Sequence, residues 1–418
     1  MINLINYPNG LRVVLNQNTN IRTVCAGVWV GVGSACEDTA LNGISHFTEH
    51  MLFKGTDKLS AFDVADSFEK VGAAVNAFTG KENTCYYFKC MDEYAEYCFA
   101  LLSHIYFDSA YRNEDLDKER KVIIEEINMV EDSPEDLAYD LLAKVNFGEH
   151  SLGQTILGSI ENVKKFDKSS ILGFREKFYR SSNVVLSFAG NLSVEQVDSM
   201  VKKHFLDRVL SGKVQIETKN VQCVSKADSI YKDFEQSNII VSFPSIKFND
   251  SLTATQSILN AILGGGMSSR FFQKIREQAG LAYSVYTTPT AYSNCGIFNI
   301  VCNITPSNTG KVLGMLRTEI EDFLKNGATD SEFERAKAQL KSAFVFGQES
   351  VQSCMISAGK LMLSANELFD YNKRVKQIDI VQKPQLDALA KQIFNFDSVS
   401  CAYVGKDAGV DLMQALGV

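Results

Sequence analysis

The feature that most constrains this chain is a short run of potential metal ligands at residues 43–53, GISHFTEHMLF. On an α-helix His46 and His50 lie one turn apart on the same face, where both imidazoles can bind one metal ion. Glu49 lies close enough to touch a metal-bound water without being a ligand itself. The apolar neighbours predict a mostly buried helix, in which unpaired imidazoles would be costly. The run therefore favours a metal site over a surface helix with two solvated histidines.

A third ligand must come from elsewhere, because catalytic zinc takes three protein ligands and keeps one position open. The best candidate segment is 113–131, which is rich in helix formers and carries an apolar stripe. Glu119 and Glu126 are seven residues apart and share a face of this predicted helix. Glu125 lies about 100° further round, which makes it the less favoured ligand beside Glu126. An ordinary charged helix face is the alternative interpretation.

Together the two segments closely resemble the pitrilysin and insulinase family of metallopeptidases, which carry the inverted H-x-x-E-H motif. Glu126 stands 76 residues after His50, in the Val-Ile-Ile-x-Glu context of the family's third zinc ligand. The resemblance implies one Zn²⁺ per chain, held by His46, His50 and Glu126. It also implies that Glu119 orients a histidine ligand. Similar nitrogen and oxygen sites accept manganese or cobalt, so the choice of metal stays open.

A glycine-rich run at residues 263–285 gains its interest from the same resemblance. Arg276 and Tyr283 match the spacing of the family's C-terminal signature, in which both side chains reach across to the zinc site. A guanidinium and a phenol can hold a substrate carbonyl and stabilise the oxyanion formed on it. The alternative is that Arg276 pairs with a surface carboxylate and Tyr283 packs in the core. Nucleotide binding is disfavoured, because no Gly-Lys-Ser/Thr follows the glycines.

Residues 72–90 consist of two β-rich runs joined by a glycine-containing turn, which predicts a hairpin. In the family the equivalent strand is an exposed sheet edge that pairs with the peptide being cut. The resemblance therefore implies a substrate-binding role for Asn76, Ala77 and Phe78. Edge pairing reads main-chain amides, which suits an enzyme that accepts varied sequences. An ordinary internal hairpin is the alternative.

The order of predicted elements repeats along the chain, which predicts an α+β domain used twice through internal duplication. Each domain is expected to have a mostly antiparallel sheet with helices packed on one face. We expect a zinc-binding catalytic domain at 1–210, a polar linker at 211–236 and a second homologous domain with the Arg/Tyr signature at 237–418. The resemblance covers essentially the whole chain and is nearest to short, two-domain bacterial members similar to the mitochondrial processing peptidase beta subunit.

Composition supports this interpretation, since 418 residues with 45% apolar content can bury two sizeable cores. No stretch approaches the 18 apolar residues of a membrane span, and the first residues lack the features of a signal or transit peptide. The ten cysteines include no C-x-x-C pair and indicate reduced thiols, which favours the cytoplasm. No basic patch interleaved with aromatics suggests nucleic-acid binding.

The predicted activity is zinc-dependent endopeptidase hydrolysis of short, unstructured peptides by a metal-activated water. Glu49 would take the proton from this water and pass it to the leaving amine. The net charge of −8 is spread along the chain, with one acidic cluster at residues 131–136. Such a cluster is usually a solvated loop, but it would favour basic peptides if it lined the cleft.

The expected partners follow from chain length. Long family members enclose the substrate with four domains, whereas two domains cannot close a chamber alone. A homodimer is the simpler expectation, because this chain carries both the zinc motif and the Arg276/Tyr283 signature. The alternatives are a catalytic subunit of a heteromeric processing peptidase, or a noncatalytic peptide-binding or assembly subunit. Members of the last kind generally lose motif residues, and here all are present.

Overall fold

The computed structural model of the protein describes residues 2–215, 221 and 225–418. They form two compact units, and neither unit is continuous in sequence. The first comprises Met1–Ile127, Thr155–Glu217 and Phe346–Asp370, and the second comprises Asn128–Gln154, Thr218–Val345 and Tyr371–Val418.

The predicted linker at 211–236 includes residues 216–220 and 222–224, which lie outside the described residues. Within the same predicted linker, Ala227–Tyr231 forms a strand that pairs in parallel with the last strand of the chain. The predicted domain boundaries, at residues 210 and 237, stay a prediction.

The strands belong to two sheets, six strands in the first unit and five in the second. In chain order they are β1 (Ile2–Asn6), β2 (Arg12–Gln17), β3 (Thr23–Val30), β4 (Ala74–Thr79), β5 (Thr84–Met91), β6 (Val184–Gly190), β7 (Ala227–Tyr231), β8 (Ser237–Ser245), β9 (Ala282–Ala291), β10 (Gly296–Ile304) and β11 (Ser400–Gly405).

The helices carry most of the remaining described chain. In chain order the α-helices are α1 (Ile44–Leu52), α2 (Ala61–Glu69), α3 (Ala95–Asp108), α4 (Asn113–Glu131), α5 (Pro134–Phe147), α6 (Ile160–Lys165), α7 (Lys168–Phe178), α8 (Val194–Val201), α9 (Thr253–Leu263), α10 (Thr309–Asn326), α11 (Asp330–Glu349), α12 (Val351–Ala365), α13 (Tyr371–Asp379), α14 (Lys383–Ile393) and α15 (Leu412–Ala415). Two π-helical segments add to them, at Lys202–Leu206 and Phe272–Gln278.

The two sheets repeat one topology. The first has the order β1-β2-β6-β3-β5-β4, and the second has the order β7-β11-β8-β10-β9. β2 and β6 are parallel, as are β7 and β11, and the other neighbours are antiparallel. Apart from β1, every strand of the first sheet has a counterpart at the same place in the second. This equivalence confirms the predicted α+β class and the internal duplication.

Helices cover both faces of each sheet, which adds a layer to the one-face packing expected from the sequence. One face of the first sheet packs against several helices of its unit, with Val28 and Phe47 in that core. The opposite face packs against α12, where Trp29 meets Met355 and Ala358. Every residue of β6 is buried, and such continuous burial is typical of a strand covered on both sides.

The second sheet has the same two-sided packing, and its extra covering helix is α5. Leu141 and Val145 of this helix pack against Ile240 and Val301 of the sheet. The two covering helices are exchanged between the halves of the chain. Helix α5 precedes every strand of the sheet that it covers, and α12 follows every strand of the sheet that it covers.

No helix in the described part of the chain is both long and apolar enough to cross a membrane. The cysteines of the described residues are free thiols, and most of them are buried. Cys223 belongs to the residues that the structure does not describe. The cytoplasmic location stays a prediction.

Candidate metal centre

The first turn of α1 depends on two glycines. Gly43 has a φ of +101°, and a Cβ there would lie 2.5 Å from the carbonyl oxygen of Leu157. Gly158 has a φ of +76°, and a Cβ there would lie 2.2 Å from the carbonyl oxygen of Asn42. Both positions therefore favour glycine for its backbone freedom and for its lack of a side chain. This close approach sets where the histidine-bearing helix begins.

Glu37 holds the amino end of α1 from a buried position. Its Oε2 accepts a hydrogen bond of 2.7 Å from the amide of Gly43 and one of 3.0 Å from Nδ2 of Asn42. Its Oε1 accepts a hydrogen bond of 2.7 Å from the amide of Ser45. Burial raises the pKa of Glu37, although these hydrogen bonds oppose the rise. The carboxylate satisfies amides that the first turn of a helix leaves without partners.

The two faces of α1 differ in chemistry. Ile44, Phe47 and Met51 are fully buried in the core of the first unit. His46 and His50 lie on another face and keep 13% and 19% of their side chains exposed. The apolar face therefore anchors the helix, and the imidazoles remain accessible.

Helix α4 brings Glu126, the third ligand that the resemblance implies, close to the two histidines. Oε2 of Glu126 lies 3.7 Å from Nε2 of His46 and 3.6 Å from Nε2 of His50. Among the described residues, His46, His50 and Glu126 form the group of histidine, cysteine or acidic side chains that could hold a metal ion. One ligand atom from each of them lies within 4.8 Å of the other two. Glu125 is exposed on the same helix and is not part of the group.

The donor set fits a zinc ion. Two ligand atoms bound to zinc at about 2.1 Å in tetrahedral geometry are about 3.4 Å apart, close to the separations observed here. Burial, together with the neighbouring His50, lowers the pKa of His46 to about 3, so this imidazole is neutral at pH 7. Neutral imidazoles and one carboxylate are a common ligand set of catalytic zinc. The residues present therefore suit the metal that the sequence motif predicts.

Glu119, which the resemblance places beside a histidine ligand, contacts the ring nitrogen of His50 that does not face Glu126. Its Oε2 lies 3.0 Å from Nδ1 of His50, and its Oε1 lies 2.6 Å from Nζ of Lys54. Burial alone would raise the pKa of Glu119, but the hydrogen bonds from His50 and Lys54 outweigh it and lower the pKa. For His50, burial lowers the pKa, and the hydrogen bond to Glu119 with the charges of Glu126 and Glu49 raises it overall.

Glu49 lies beside this cluster and is held by the end of β4. The hydroxyl of Thr79 donates a short hydrogen bond to Oε2 of Glu49. Burial raises the pKa of Glu49, although the Thr79 hydrogen bond and the nearby His50 act in the opposite direction. A raised pKa makes a carboxylate a stronger base at neutral pH. The side chain is thus held close to the ligand group without being part of it, and its role in proton transfer stays a prediction.

The strand that ends at Thr79 is the outer strand β4 of the first sheet, and it contains the predicted substrate-binding residues. The amide of Ala77 donates to the side-chain oxygen of Asn76 at 2.8 Å, rather than to a neighbouring strand. Phe78 packs its ring against Trp29, with ring centroids 5.4 Å apart. The observed edge agrees with the geometry that peptide pairing requires, and the binding role stays a prediction.

Arg276 and Tyr283 belong to the second unit, whereas the ligand cluster belongs to the first. Arg276 lies on the π-helical segment Phe272–Gln278, with its guanidinium 4.6 Å from the ring centroid of Phe272. Within the described chain it has no acidic partner. Tyr283 is 76% exposed at the start of β9. Among the residues that the structure describes, Arg276 is therefore not in a surface ion pair, and Tyr283 is not packed in the core. The role of both side chains toward substrate stays a prediction.

Three residues of the site were not singled out by the sequence. Glu37 lies six residues before Gly43, and Lys54 follows α1, so their contacts depend on loop geometry. Thr79 stands 30 residues from Glu49 in the chain. Only the predicted hairpin next to the motif could have suggested that its strand end reaches the helix.

Two family profiles match this chain. The profile of the family described as insulinase, peptidase family M16, matches residues 12–160, which include the metal cluster. The profile described as the peptidase M16 inactive domain matches residues 165–340, which include Arg276 and Tyr283.

Similar proteins match over nearly their full length. An uncharacterized zinc protease of Bacillus subtilis, YmxG, is 37% identical over 402 residues, which are 95% of this chain and 97% of that protein. The crystal structure of a peptidase M16 inactive domain from Pseudomonas fluorescens has a TM-score of 0.91 at 19% identity and covers 97% of this chain and 98% of its own. A protease from Helicobacter pylori has a TM-score of 0.90 at 19% identity, with coverage of 97% and 99%. The chain therefore belongs to the insulinase family, peptidase family M16, as a member with two similar domains.

Proposed function

We propose that this protein is a zinc-dependent endopeptidase that hydrolyses short, unstructured peptides. The observation that carries the proposal is the convergence of His46, His50 and Glu126 beside Glu49, a partly buried carboxylate outside the ligand group. The names of the similar zinc proteases support the same class of activity.

His46, His50 and Glu126 would hold the zinc ion. When bound, zinc supplies Lewis acidity that polarises a carbonyl and makes water acidic enough to react at neutral pH. Glu49 accepts the proton of the attacking water on a carboxylate oxygen and then donates it to the nitrogen of the leaving amine. Thr79 holds Oε2 of Glu49, so the other oxygen is free to exchange that proton.

The substrate would be aligned by main-chain pairing along β4. An added strand must be extended, which selects unstructured peptides over folded domains. Because β4 ends at Thr79, next to Glu49, a peptide paired along Asn76, Ala77 and Phe78 would lead toward the proton-transfer group. The exposed Arg276 and Tyr283 would donate hydrogen bonds to the carbonyl being attacked.

Partner and substrate charge complete the proposal. We propose that the chain pairs with a second copy of itself in the cytoplasm. A preference for basic peptides would involve the acidic segment at 131–136, where Glu131 already pairs with Lys232 at 2.6 Å. Glu135 accepts a hydrogen bond of 2.6 Å from the hydroxyl of Tyr286, so the uncommitted charge is smaller than the sequence suggests.

The test is hydrolysis of a mixture of short peptides by the purified, zinc-loaded chain, with products identified by mass spectrometry. Glu49→Gln should reduce the rate by about 10²-fold to 10⁴-fold while zinc content stays unchanged. Glu125→Gln is the matched control, because Glu125 is an exposed glutamate outside the ligand group. Equal activity of the wild type and Glu49→Gln would overturn the assigned role of Glu49. No cleavage by folded, zinc-loaded wild type alone would overturn the self-sufficient peptidase.

A further inference from the structure

The second unit contains a small cavity whose lining residues have no part in the proposed peptide hydrolysis. Its volume is about 160 Å³. It lies where the loop between β8 and α9 meets α9, α11, α13 and the end of β9. Its walls are largely apolar and include Ile246, Phe248, Phe344 and Ile378.

Two cationic side chains, Arg374 and Lys247, line the same cavity, and no acidic side chain lines it. Arg374 donates hydrogen bonds of 3.3 Å to the side-chain oxygens of Gln377 and Asn249, both of which are neutral amides. In the described part of the chain neither cation forms an ion pair. A guanidinium that is oriented by neutral groups keeps its full charge available for an anion.

We propose that this cavity binds the C-terminal residue of a peptide that ends in an apolar side chain. A cavity of this size accepts one side chain of about the volume of leucine, since a dry cavity of similar volume holds benzene. The terminal carboxylate would pair with Arg374 and Lys247. Long acyl chains exceed the cavity, and a group without negative charge would leave both cations without an anionic partner.

The charge of the lining also separates two sources of such a carboxylate. A free amino acid carries an ammonium group next to its carboxylate, and the cavity offers two cations and no acidic side chain to receive it. In the C-terminal residue of a peptide, this nitrogen is a neutral amide. The cavity is therefore complementary to an acylated residue rather than to a free amino acid.

The first experiment measures binding to the full-length protein by calorimetry or ligand-observed NMR. The probe is N-acetyl-L-leucine, with an expected dissociation constant of about 1 mM for a ligand of this size. N-acetyl-L-leucine amide removes the charge and N-acetylglycine removes the side chain, and each should bind at least about tenfold more weakly. Free L-leucine should also bind more weakly. Equal binding of all four compounds would overturn the proposal, and tighter binding of free leucine would assign the cavity to free amino acids instead.

Variants then locate the binding. Arg374→Gln should weaken N-acetyl-L-leucine binding by about tenfold to a hundredfold, because it removes a charge-assisted contact. Ala254→Leu should fill the cavity from α9 and abolish binding. Lys376→Gln is the matched control, because Lys376 is an exposed cation on α13 outside the lining. Undiminished binding to both lining variants would place the ligand elsewhere and refute the site. Peptide hydrolysis by these variants is measured separately, so loss of this site and failure of the proposed activity remain distinguishable.

Discussion

Nδ1 of His50 lies 3.0 Å from Oε2 of Glu119, and Nζ of Lys54 lies 2.6 Å from the other oxygen of the same carboxylate. A carboxylate can only accept here, so Nδ1 of His50 carries a proton, and in the neutral imidazole the lone pair is on Nε2, the atom that faces Glu126. Lys54 supports the ionised form of Glu119. The three side chains thus keep one imidazole in the tautomer and orientation that a metal requires.

Glu119→Gln should therefore weaken zinc affinity by about tenfold to a hundredfold. The amide cannot accept from Lys54 and His50 with the strength of a carboxylate, so the tautomer of His50 is less firmly held. Competition with a fluorescent zinc chelator measures the change. Glu125→Gln, the exposed glutamate on the same helix, should leave affinity unaltered; similar losses in both variants would mean that only general charge matters.

Glu37→Gln should reduce the free energy of unfolding by about 1–3 kcal/mol and weaken zinc binding with it. Both oxygens of Glu37 accept from N–H groups, and an amide nitrogen facing one of these donors would leave it buried and unpaired. Urea unfolding and the chelator assay provide the two measurements. Asp38→Asn is the control, since Asp38 is exposed and its side chain caps no helix. If Glu37→Gln is as stable as the wild type, the hydrogen bonds of Glu37 to the start of α1 do not contribute to stability.

Ala77→Pro should lower kcat/KM for peptides by about tenfold, with zinc content unchanged. Proline is accepted at an edge strand and removes the amide that donates to the side chain of Asn76. Ala77→Ser keeps the amide and a similar volume, and should retain normal activity. If Ala77→Pro cleaves peptides as fast as Ala77→Ser, the edge of β4 does not pair with substrate through this amide.

The acid sensitivity of the second unit should depend on Glu332. Burial alone would raise the pKa of Glu332, but hydrogen bonds from Arg270 and Thr329 outweigh it and lower the pKa to about 2. A lowered pKa stabilises the fold above the ordinary glutamate value of about 4.3, and this stability is lost as the pH falls toward 2. The destabilisation caused by Glu332→Gln should thus be largest at pH 7 and shrink below pH 5.

Urea unfolding at a series of pH values measures this dependence. Glu334→Gln is the control, because Glu334 is exposed on the same helix and forms no ion pair within the described chain. A constant difference between wild type and Glu332→Gln from pH 7 to pH 3 would contradict the prediction.

Gly359→Ala and Gly347→Ala should change stability in opposite directions. A Cβ at Gly359 would lie 2.2 Å from Nε1 of Trp29, a ring that is fully buried, so the substitution should cost about 1–3 kcal/mol. Gly347 lies in α11 with no atom within 4 Å of an added Cβ. Alanine there should stabilise the helix by about 0.5–1 kcal/mol. Thermal unfolding of both variants measures the two changes in stability. Equal changes would contradict the close contact of α12 with Trp29 of the sheet.

Local patterns predicted the parts of the site that depend on local spacing. The separation of His46 and His50 places both on one face of α1, and the resemblance to a known family pointed to Glu126. Glu37 and Thr79 could not be found in this way, because each meets the motif through loops or a strand end. Their contacts follow from tertiary packing rather than from a repeat in the sequence.

In the fold, too, local patterns predicted some features and tertiary packing decided the others. The two β-rich runs at 72–90 predicted the hairpin of β4 and β5, and the repeated order of elements predicted the duplication. The apolar face of α12 shows that this helix is covered, but periodicity carries no information about which sheet covers it. The exchange of α5 and α12 was therefore beyond the reach of pattern alone.

Because α5 and α12 each cover the sheet of the other half of the chain, the two halves depend on each other. A duplicated protein built of self-contained modules can lose one copy, trade it or express it alone. Here a cut near residue 210 would strip α12 from the first sheet and α5 from the second, and would open the apolar surfaces around Trp29 and Val301 to water. Each half of the chain therefore needs a helix from the other half to cover its sheet, and we expect neither half to fold alone.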